Sequence, residues 1–435
     1  MLTLLCDFTS VMKTVGYVLL AFVVLMVMVL IHETGHYTAG KLLGFQINEF
    51  SVGMGPKILS RKKKNGEVFS LRLLPLGGFC AFEGENDDTE NPKAFHKQKP
   101  WKRLIVLFSG AFFNFVSAIL IAIIVFACYG ETVVVVKNVY DSAPQANQCL
   151  QNGDIIYKIN GRRVYMLDSL GRYFSDDEMT FTVLRPNEVD GKVVYEKTEI
   201  QNITQDKFAS FSLSKIEDEY YSYDNGEERK LGAGDVLYKL NGNMLSKPGD
   251  FGKYWQQHSD GKCILTVMVG DKTYDYTLDY SLLENNKIIV SERSYTGVGM
   301  TLNYEKYKFG FGETLIRVVP YCCEVGMLVL RTLGGLLTGA VGIESVGGPI
   351  TTIKMTSDVV QTGFGNVLML MVLISVNLAV FNLLPVPALD GCQMVFVLIE
   401  WIARKPINRK VQAYINGIGL IVLIVLMLLI DILKL

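Results

Sequence analysis

Five consecutive residues, His32-Glu33-Thr34-Gly35-His36, combine two imidazoles and a carboxylate at helical spacing. On an α-helix, positions i and i+4 lie one turn apart on the same face. His32 and His36 can therefore offer nitrogen donors to one metal ion. The pattern His-Glu-x-x-His suits zinc, with the glutamate between the ligands placed as general base toward a metal-bound water. A polar packing cluster or a haem site would use the histidines without needing Glu33. The chain has 4 histidines, His32, His36, His96 and His258, and two of them fall at this spacing. Chance is a poor account of that.

The motif closes an almost unbroken apolar run from Val15 to Ile31. A charge at the bilayer centre costs at least about 2.5–3.5 kcal/mol, so ionisable residues there mark function. Roughly 20 apolar residues cross a bilayer. Four segments qualify: Val15–Leu43, Leu104–Cys128, Val367–Leu389 and Ala413–Leu433. Lys13 before the first run looks like the start of a signal peptide. Cleavage would discard the histidines, however, and no small-x-small site follows, so a retained span is the better reading.

The 435 residues are 50% hydrophobic with a mean hydropathy of +0.27, which suggests membrane and water-soluble parts in one chain. A net charge of −1 points to no nucleic-acid partner. The 8 cysteines form no Cys-x-x-Cys pair and read as free thiols, with Cys322-Cys323 assigned to helix packing.

Loop charge orients the spans. Eleven basic residues between Lys57 and Arg103 separate spans one and two, and Arg404, Lys405, Arg409 and Lys410 separate spans three and four. Both loops are expected on the cytoplasmic side. The Arg61–Lys64 run needs no other explanation than this. The long region 129–365 and both termini then lie outside.

Zinc hydrolysis needs a third protein ligand and one open position. Spans one and three both run inward, so a ligand at the depth of His32 and His36 is expected near the C-terminal end of span three, where Asp390 stands. It follows Asn382-Leu383-Leu384-Pro385-Val386-Pro387-Ala388-Leu389. Two prolines one residue apart cannot sit in a regular helix. The span must break there and line a cavity. With Gln393 three residues on, Asp390 serves equally well as a helix N-cap in a capping box. Asn382 is either a structural amide for the broken backbone or a group that holds substrate backbone extended.

The external region contains a repeat: Gly153-Asp154-Ile155-Ile156-Tyr157-Lys158-Ile159-Asn160-Gly161 returns as Gly234-Asp235-Val236-Leu237-Tyr238-Lys239-Leu240-Asn241-Gly242. Turn, alternating strand and Asn-Gly turn suggest two copies of a small β-rich domain. Glu313–Gly339 has an apolar period broken by Arg317, Pro320, Glu324 and Arg331, and is expected to be an amphipathic helix on the membrane or against the spans. Phe50–Glu85, with Gly53-Met54-Gly55-Pro56 and Pro75-Leu76-Gly77-Gly78, is expected to form β-hairpins. Its open edge either receives an extended substrate strand or belongs to an ordinary surface hairpin.

Taken together, these motifs resemble the site-2 proteases, intramembrane zinc metalloproteases, in the bacterial regulator-of-sigma-factor branch. The resemblance covers nearly the whole chain. It rests on His32-Glu33-Thr34-Gly35-His36, Arg72-Leu73-Leu74-Pro75-Leu76-Gly77-Gly78-Phe79, Gly110-Ala111-Phe112-Phe113-Asn114, two PDZ-like repeats, Gly347-Gly348-Pro349-Ile350, and Asn382 through Gly391. It implies His32, His36 and Asp390 as zinc ligands and Glu33 as catalytic base. It also implies substrate contacts at Asn382, at Pro385 and Pro387, and in a membrane-re-entrant β-region at Gly53 and Gly55. Ala111 replaces a usual proline and Cys392 a frequent second glycine, with no chemical group lost. Neither β-repeat shows a Gly-Leu-Gly-Phe carboxylate loop, so the pair is expected to restrict access by size or to capture peptides.

The expected fold class is a polytopic α-helical membrane protein of about four transmembrane helices, with a membrane-associated β-hairpin region and two extracytoplasmic PDZ-like α+β domains. The expected segments are 1–43, a first span with the zinc motif; 44–103, a cytoplasmic or re-entrant β-region; and 104–128, a second span. There follow 129–212 and 213–303, the PDZ-like domains; 304–365, an amphipathic helix and loop; and 366–435, the third and fourth spans. The expected activity is zinc-dependent cleavage of single-span membrane proteins, either anti-sigma factors or remnant signal peptides, in a bacterial cell membrane. A silent PDZ membrane scaffold and an ion-coupled transporter are the competing readings.

Overall fold

The computed structural model describes residues 2–85, 89–166, 170–174, 178–224, 227–256, 261–269, 272–279, 281, 287–342 and 347–433. His258 lies outside the described residues. The chain divides into two compact units, Met1–Glu131 with Lys308–Leu435, and Thr132–Tyr307.

In the first unit, helix α1 runs Leu2–Leu42 and starts before the expected span. Strands β1 (Ile47–Lys62) and β2 (Val68–Phe82) follow. Within them Glu49–Val52 pairs with Gly78–Ala81 on one side and Val68–Leu71 on the other, so the hairpin folds back on itself. Gly53 makes this bend possible. Its φ is +84° and a Cβ would stand 2.6 Å from the Leu74 carbonyl oxygen. The base of the hairpin is held by a core of Phe45, Ile47, Phe82, Phe95, Val106, Leu107 and Val397.

Helix α2 (Pro100–Tyr129) opens on a proline, whose missing N–H falls where a helix has no acceptor for it. It ends at Gly130, whose N–H reaches the Phe126 carbonyl. Helices α1 and α2 touch through small residues, the membrane substitute for a hydrophobic driving force. A Cβ on Gly35 would lie 2.4 Å from the Ser109 carbonyl oxygen.

The second unit carries β3 (Glu131–Val139), β4 (Ile155–Ile159), β5 (Arg162–Arg163), β6 (Met179–Val189), β7 (Lys192–Ile203) and β8 (Asp206–Ile216). It continues with β9 (Tyr221–Asp224), β10 (Glu227–Lys230), β11 (Val236–Leu240), β12 (Asn243–Met244) and helix α3 (Asp250–Gln256). It ends with β13 (Lys262–Val269), β14 (Lys272–Asp279), β15 (Ile288–Gly297) and β16 (Met300–Tyr307). Two sheets form, ordered β16-β3-β4-β6-β7 and β14-β13-β11-β8-β15, while β9 pairs with β10. Each sheet has its own apolar core, one around Phe181 and Ile159, the other around Phe211 and Tyr276.

The sequence repeat folds the same way twice. Asn160 and Gly161 have φ of 49° and 78°, and Asn241 and Gly242 have 49° and 80°. Positive φ at both central residues is what a type I′ hairpin turn requires. Asp154 accepts a hydrogen bond from Arg185 Nη2 at 2.7 Å, and Asp235 from Arg229 Nη2 at 2.6 Å.

The expected boundaries at 212/213 and 303/304 are corrected by this pairing. The first cuts β8, which belongs to the second sheet. The second cuts β16, which closes the first sheet beside β3. The second β-domain is therefore inserted into the first. Strand partners this distant in sequence leave no local signal at the boundary.

The chain re-enters the first unit with α4 (Phe311–Thr338), α5 (Pro349–Gln361), α6 (Phe364–Leu383), α7 (Asp390–Ala403) and α8 (Arg409–Leu433). Amphipathic α4 buries Thr314, Arg317, Val318, Tyr321, Cys322 and Val325, spaced at three and four residues along one face. The Tyr321 and Phe126 rings meet edge to face at 5.2 Å, so this stripe packs against a span. The expected segment 366–435 holds three helices, because after the proline break α7 forms between the third and fourth spans. Among the described residues, four helical segments are long and apolar enough to cross a membrane: Val15–Leu42, Pro100–Tyr129, Phe364–Leu383 and Arg409–Ile432.

Candidate metal centre

His32 and His36 lie on one face of α1, each 7% exposed. His36 Nδ1 is 2.7 Å from the Val106 carbonyl oxygen of α2. A carbonyl only accepts, so Nδ1 carries a proton and Nε2 is the ring nitrogen turned toward the site. His36 Nε2 lies 3.1 Å from His32 Nε2. Asp390 Oδ2 stands 3.0 Å from His32 Nε2 and 3.2 Å from His36 Nε2.

That triangle has the dimensions of a zinc site. Ligands about 2.0–2.1 Å from a tetrahedral zinc stand roughly 3.3 Å from one another. Three polar atoms converging this closely need shared protons or a cation among them. The donor set, two imidazoles and one carboxylate with ligand atoms within 4.8 Å of one another, fits a divalent ion of the zinc kind. Gly110 of α2 supplies the clearance, since a Cβ there would stand 2.5 Å from His36 Nε2 and 2.6 Å from His32 Cε1.

Asp390 reaches the histidines through the break after α6. The segment 384–389 turns through Ala388, whose φ is 75°. The α7 backbone then presses against the end of α6. A Cβ on Gly391 would be 2.3 Å from the Leu384 carbonyl oxygen. From the other side, α8 closes on the break, with Asn416 accepting from the Ala388 N–H at 3.4 Å and Gly419 against Pro387. The capping-box alternative for Asp390 is overturned here. Leu389 is the N-cap, no side chain caps the helix, and Asp390 faces the histidines.

Glu33 sits beside the triangle, close to the Cys80 backbone of β2. Gly78 keeps that strand close, the position of its absent Cβ being 3.6 Å from Glu33 Cγ. Asn382 Nδ2 lies 3.4 Å from His32 Nδ1, and Asn114 Nδ2 lies 3.3 Å from the same atom. Pro385 and Pro387 form the break itself. Gly53 and Gly55 sit at the hairpin bend, packed against Leu74.

Sequence reasoning passed over the parts played by Gly110, Val106, Gly78, Cys80 and Asn114. Gly110 and Asn114 are one turn apart on α2, a spacing visible in the sequence. The Val106 and Cys80 groups are backbone atoms and leave no side-chain signal.

Helices long and apolar enough to cross a membrane, with a His-His-Asp triangle among them and a glutamate alongside, define a membrane metalloprotease. The sequence pattern of Peptidase family M50 matches residues 20–426, and the chain belongs to that family, the site-2 proteases, in the regulator-of-sigma-factor branch. It is a zinc metalloprotease. It is similar to the zinc metalloprotease RasP of Bacillus licheniformis, 28% identical over 435 residues, covering 92% of this chain and 94% of that protein. A Clostridium perfringens protein whose name assigns it provisionally to the zinc metalloproteases is 28% identical over 417 residues, covering 96% of this chain and 97% of its own. A Vibrio cholerae protein named in the same way is 28% identical over 429 residues, covering 92% and 94%.

Proposed function

We propose that this protease cuts the membrane-spanning helix of single-span proteins, with His32, His36 and Asp390 holding zinc and Glu33 as the general base. The observation that carries the reading is the triangle of Nε2, Nε2 and Oδ2 atoms at 3.0–3.2 Å, with the Glu33 carboxylate beside it. When bound, zinc polarises the scissile carbonyl and makes water acidic enough to lose a proton near neutral pH.

The chain's own residues do the rest. Glu33 takes the proton from the attacking water and delivers it to the leaving amine. Gly78 of β2 leaves room for that carboxylate side chain beside the site. A substrate helix must unwind first, because its carbonyls are hydrogen-bonded and shielded. The β2 edge that reaches Glu33 then receives the unwound segment as an added strand. Asn382, beside the Pro385–Pro387 break, holds the other side of that backbone, and Gly53 and Gly55 shape the hairpin that presents the edge.

On this reading the basic loops are cytoplasmic, the site lies toward that side of a bacterial cell membrane, and the two β-domains are extracytoplasmic and PDZ-like. They screen substrates by size, so that cleavage follows trimming by another protease. Anti-sigma factors and remnant signal peptides are the substrate classes this suits.

The test is Glu33→Gln. Cleavage of a model membrane substrate vanishes while zinc stays bound. Unchanged cleavage overturns the mechanism, whereas absence of cleavage by the unaltered protein favours a silent scaffold or a transporter.

A further inference from the structure

His32 has more amide neighbours than its ring can satisfy. Asn114 Nδ2 on α2 and Asn382 Nδ2 at the end of α6 both approach its Nδ1, at 3.3 and 3.4 Å. In the ligand set proposed above, on which this inference rests, the Nε2 lone pair belongs to the metal. Nδ1 then carries the proton and needs an acceptor. Two amino groups cannot provide one, so one carboxamide must turn its oxygen to the ring. The two ends of a carboxamide are nearly the same shape, and the hydrogen-bond partner decides which faces which.

We infer that Asn114 is the positioning residue that turns: its Oδ1 accepts the His32 Nδ1–H and sets the ring for metal binding, which leaves the Asn382 amide for substrate. Three observations favour Asn114 over Asn382. It is 0% exposed, so no substrate can reach it, whereas Asn382 is only partly buried beside the break. Its backbone is fixed, because Ser117 and Ser375 each donate to the Asn114 carbonyl oxygen at 2.8 Å. With Nδ2 on the ring, its Oδ1 is buried without a hydrogen-bond partner among the described residues. Turning the amide gives that buried oxygen the ring proton as its partner.

The experiment uses the full-length protein carrying Glu33→Gln, and reads zinc retention against a graded chelator, independent of cleavage. Adding Asn114→Leu, which has the shape but no acceptor, weakens zinc binding by about 10–100-fold. Adding Asn114→Asp, which can only accept, keeps zinc within a few-fold of the Glu33→Gln parent. Asn382→Leu also keeps it, while in the Glu33-containing enzyme it raises KM or lowers kcat.

Normal zinc affinity in Asn114→Leu overturns the inference. So does an Asn114→Asp protein as weak as Asn114→Leu, which is what a purely structural amide would give. Loss of zinc in Asn382→Leu would exchange the two roles and overturn it as well. If Asn114→Leu does not fold, Asn114→Asp and Asn382→Leu still decide. A Glu33→Gln parent that binds no zinc is a different failure and sinks the ligand set itself.

Discussion

Gly110 faces His36 so closely that a Cβ on it would stand 2.5 Å from the imidazole Nε2. No side chain fits between α2 and the histidine face of α1. Gly110→Ala must therefore push the helices apart or rotate both imidazoles. Zinc affinity falls by at least about tenfold, and cleavage by on the order of a hundredfold, the scale for displaced ligands. Zinc content and turnover of the purified variant check this, and an alanine enzyme with full zinc and full activity would contradict the packing described.

Gly391 does for Asp390 what Gly110 does for the histidines. The position of its absent Cβ is 2.3 Å from the Leu384 carbonyl oxygen. Gly391→Ala forces α7 away from the end of α6 and carries Asp390 off the triangle, so zinc is lost. Gly417→Ala on α8 is the control, because nothing lies within 4 Å of that position. Similar zinc retention in the two variants would show that Asp390 is not held by this contact.

Arg317 of α4 grips Glu131 with two bonds, Nε to Oε2 at 2.6 Å and Nη2 to Oε1 at 2.7 Å. Both side chains are 1% exposed. Removing one partner leaves the other charge buried, at a cost of about 3–5 kcal/mol, while replacing both by apolar groups costs far less. Arg317→Leu should therefore unfold at markedly lower temperature than the Glu131→Leu, Arg317→Leu double variant. Equal melting of the two in the same detergent would refute this.

Glu49 in the hairpin makes stability depend on acid. Burial alone pushes its carboxyl up, but hydrogen bonds from Ser70, Arg72 and Lys57 outweigh that and hold it at about 2, against an ordinary 4.5. The folded value lies below the free value. Its contribution is therefore complete above 4.5 and is lost as pH falls toward about 2. Hydrogen exchange of the hairpin amides should quicken across that window in the parent protein, and Glu49→Gln should remove this step. A variant that keeps the step would assign it to another group.

Much of the architecture was legible because its causes are local. Apolar length marks the spans, Pro385 and Pro387 forbid a continuous helix, and Asn-Gly pairs demand the turns at 160–161 and 241–242. The nesting of one β-domain inside the other was not legible. It depends on β16 pairing with β3 across more than a hundred and fifty intervening residues, and local pattern carries no information about such a partner.

The centre divides in the same way. His32 and His36 share a helix face by the geometry of one turn, with Glu33 adjacent to His32, so their relation is a property of five residues. Asp390 was equally a ligand or a cap in the sequence. Its direction was decided by Gly391 against the Leu384 carbonyl, by Gly110 opening α2, and by α8 closing on Pro387. These are close approaches between distant segments of chain. The absent side chains and backbone carbonyls that make them possible are physical determinants that exist only once the helices are packed.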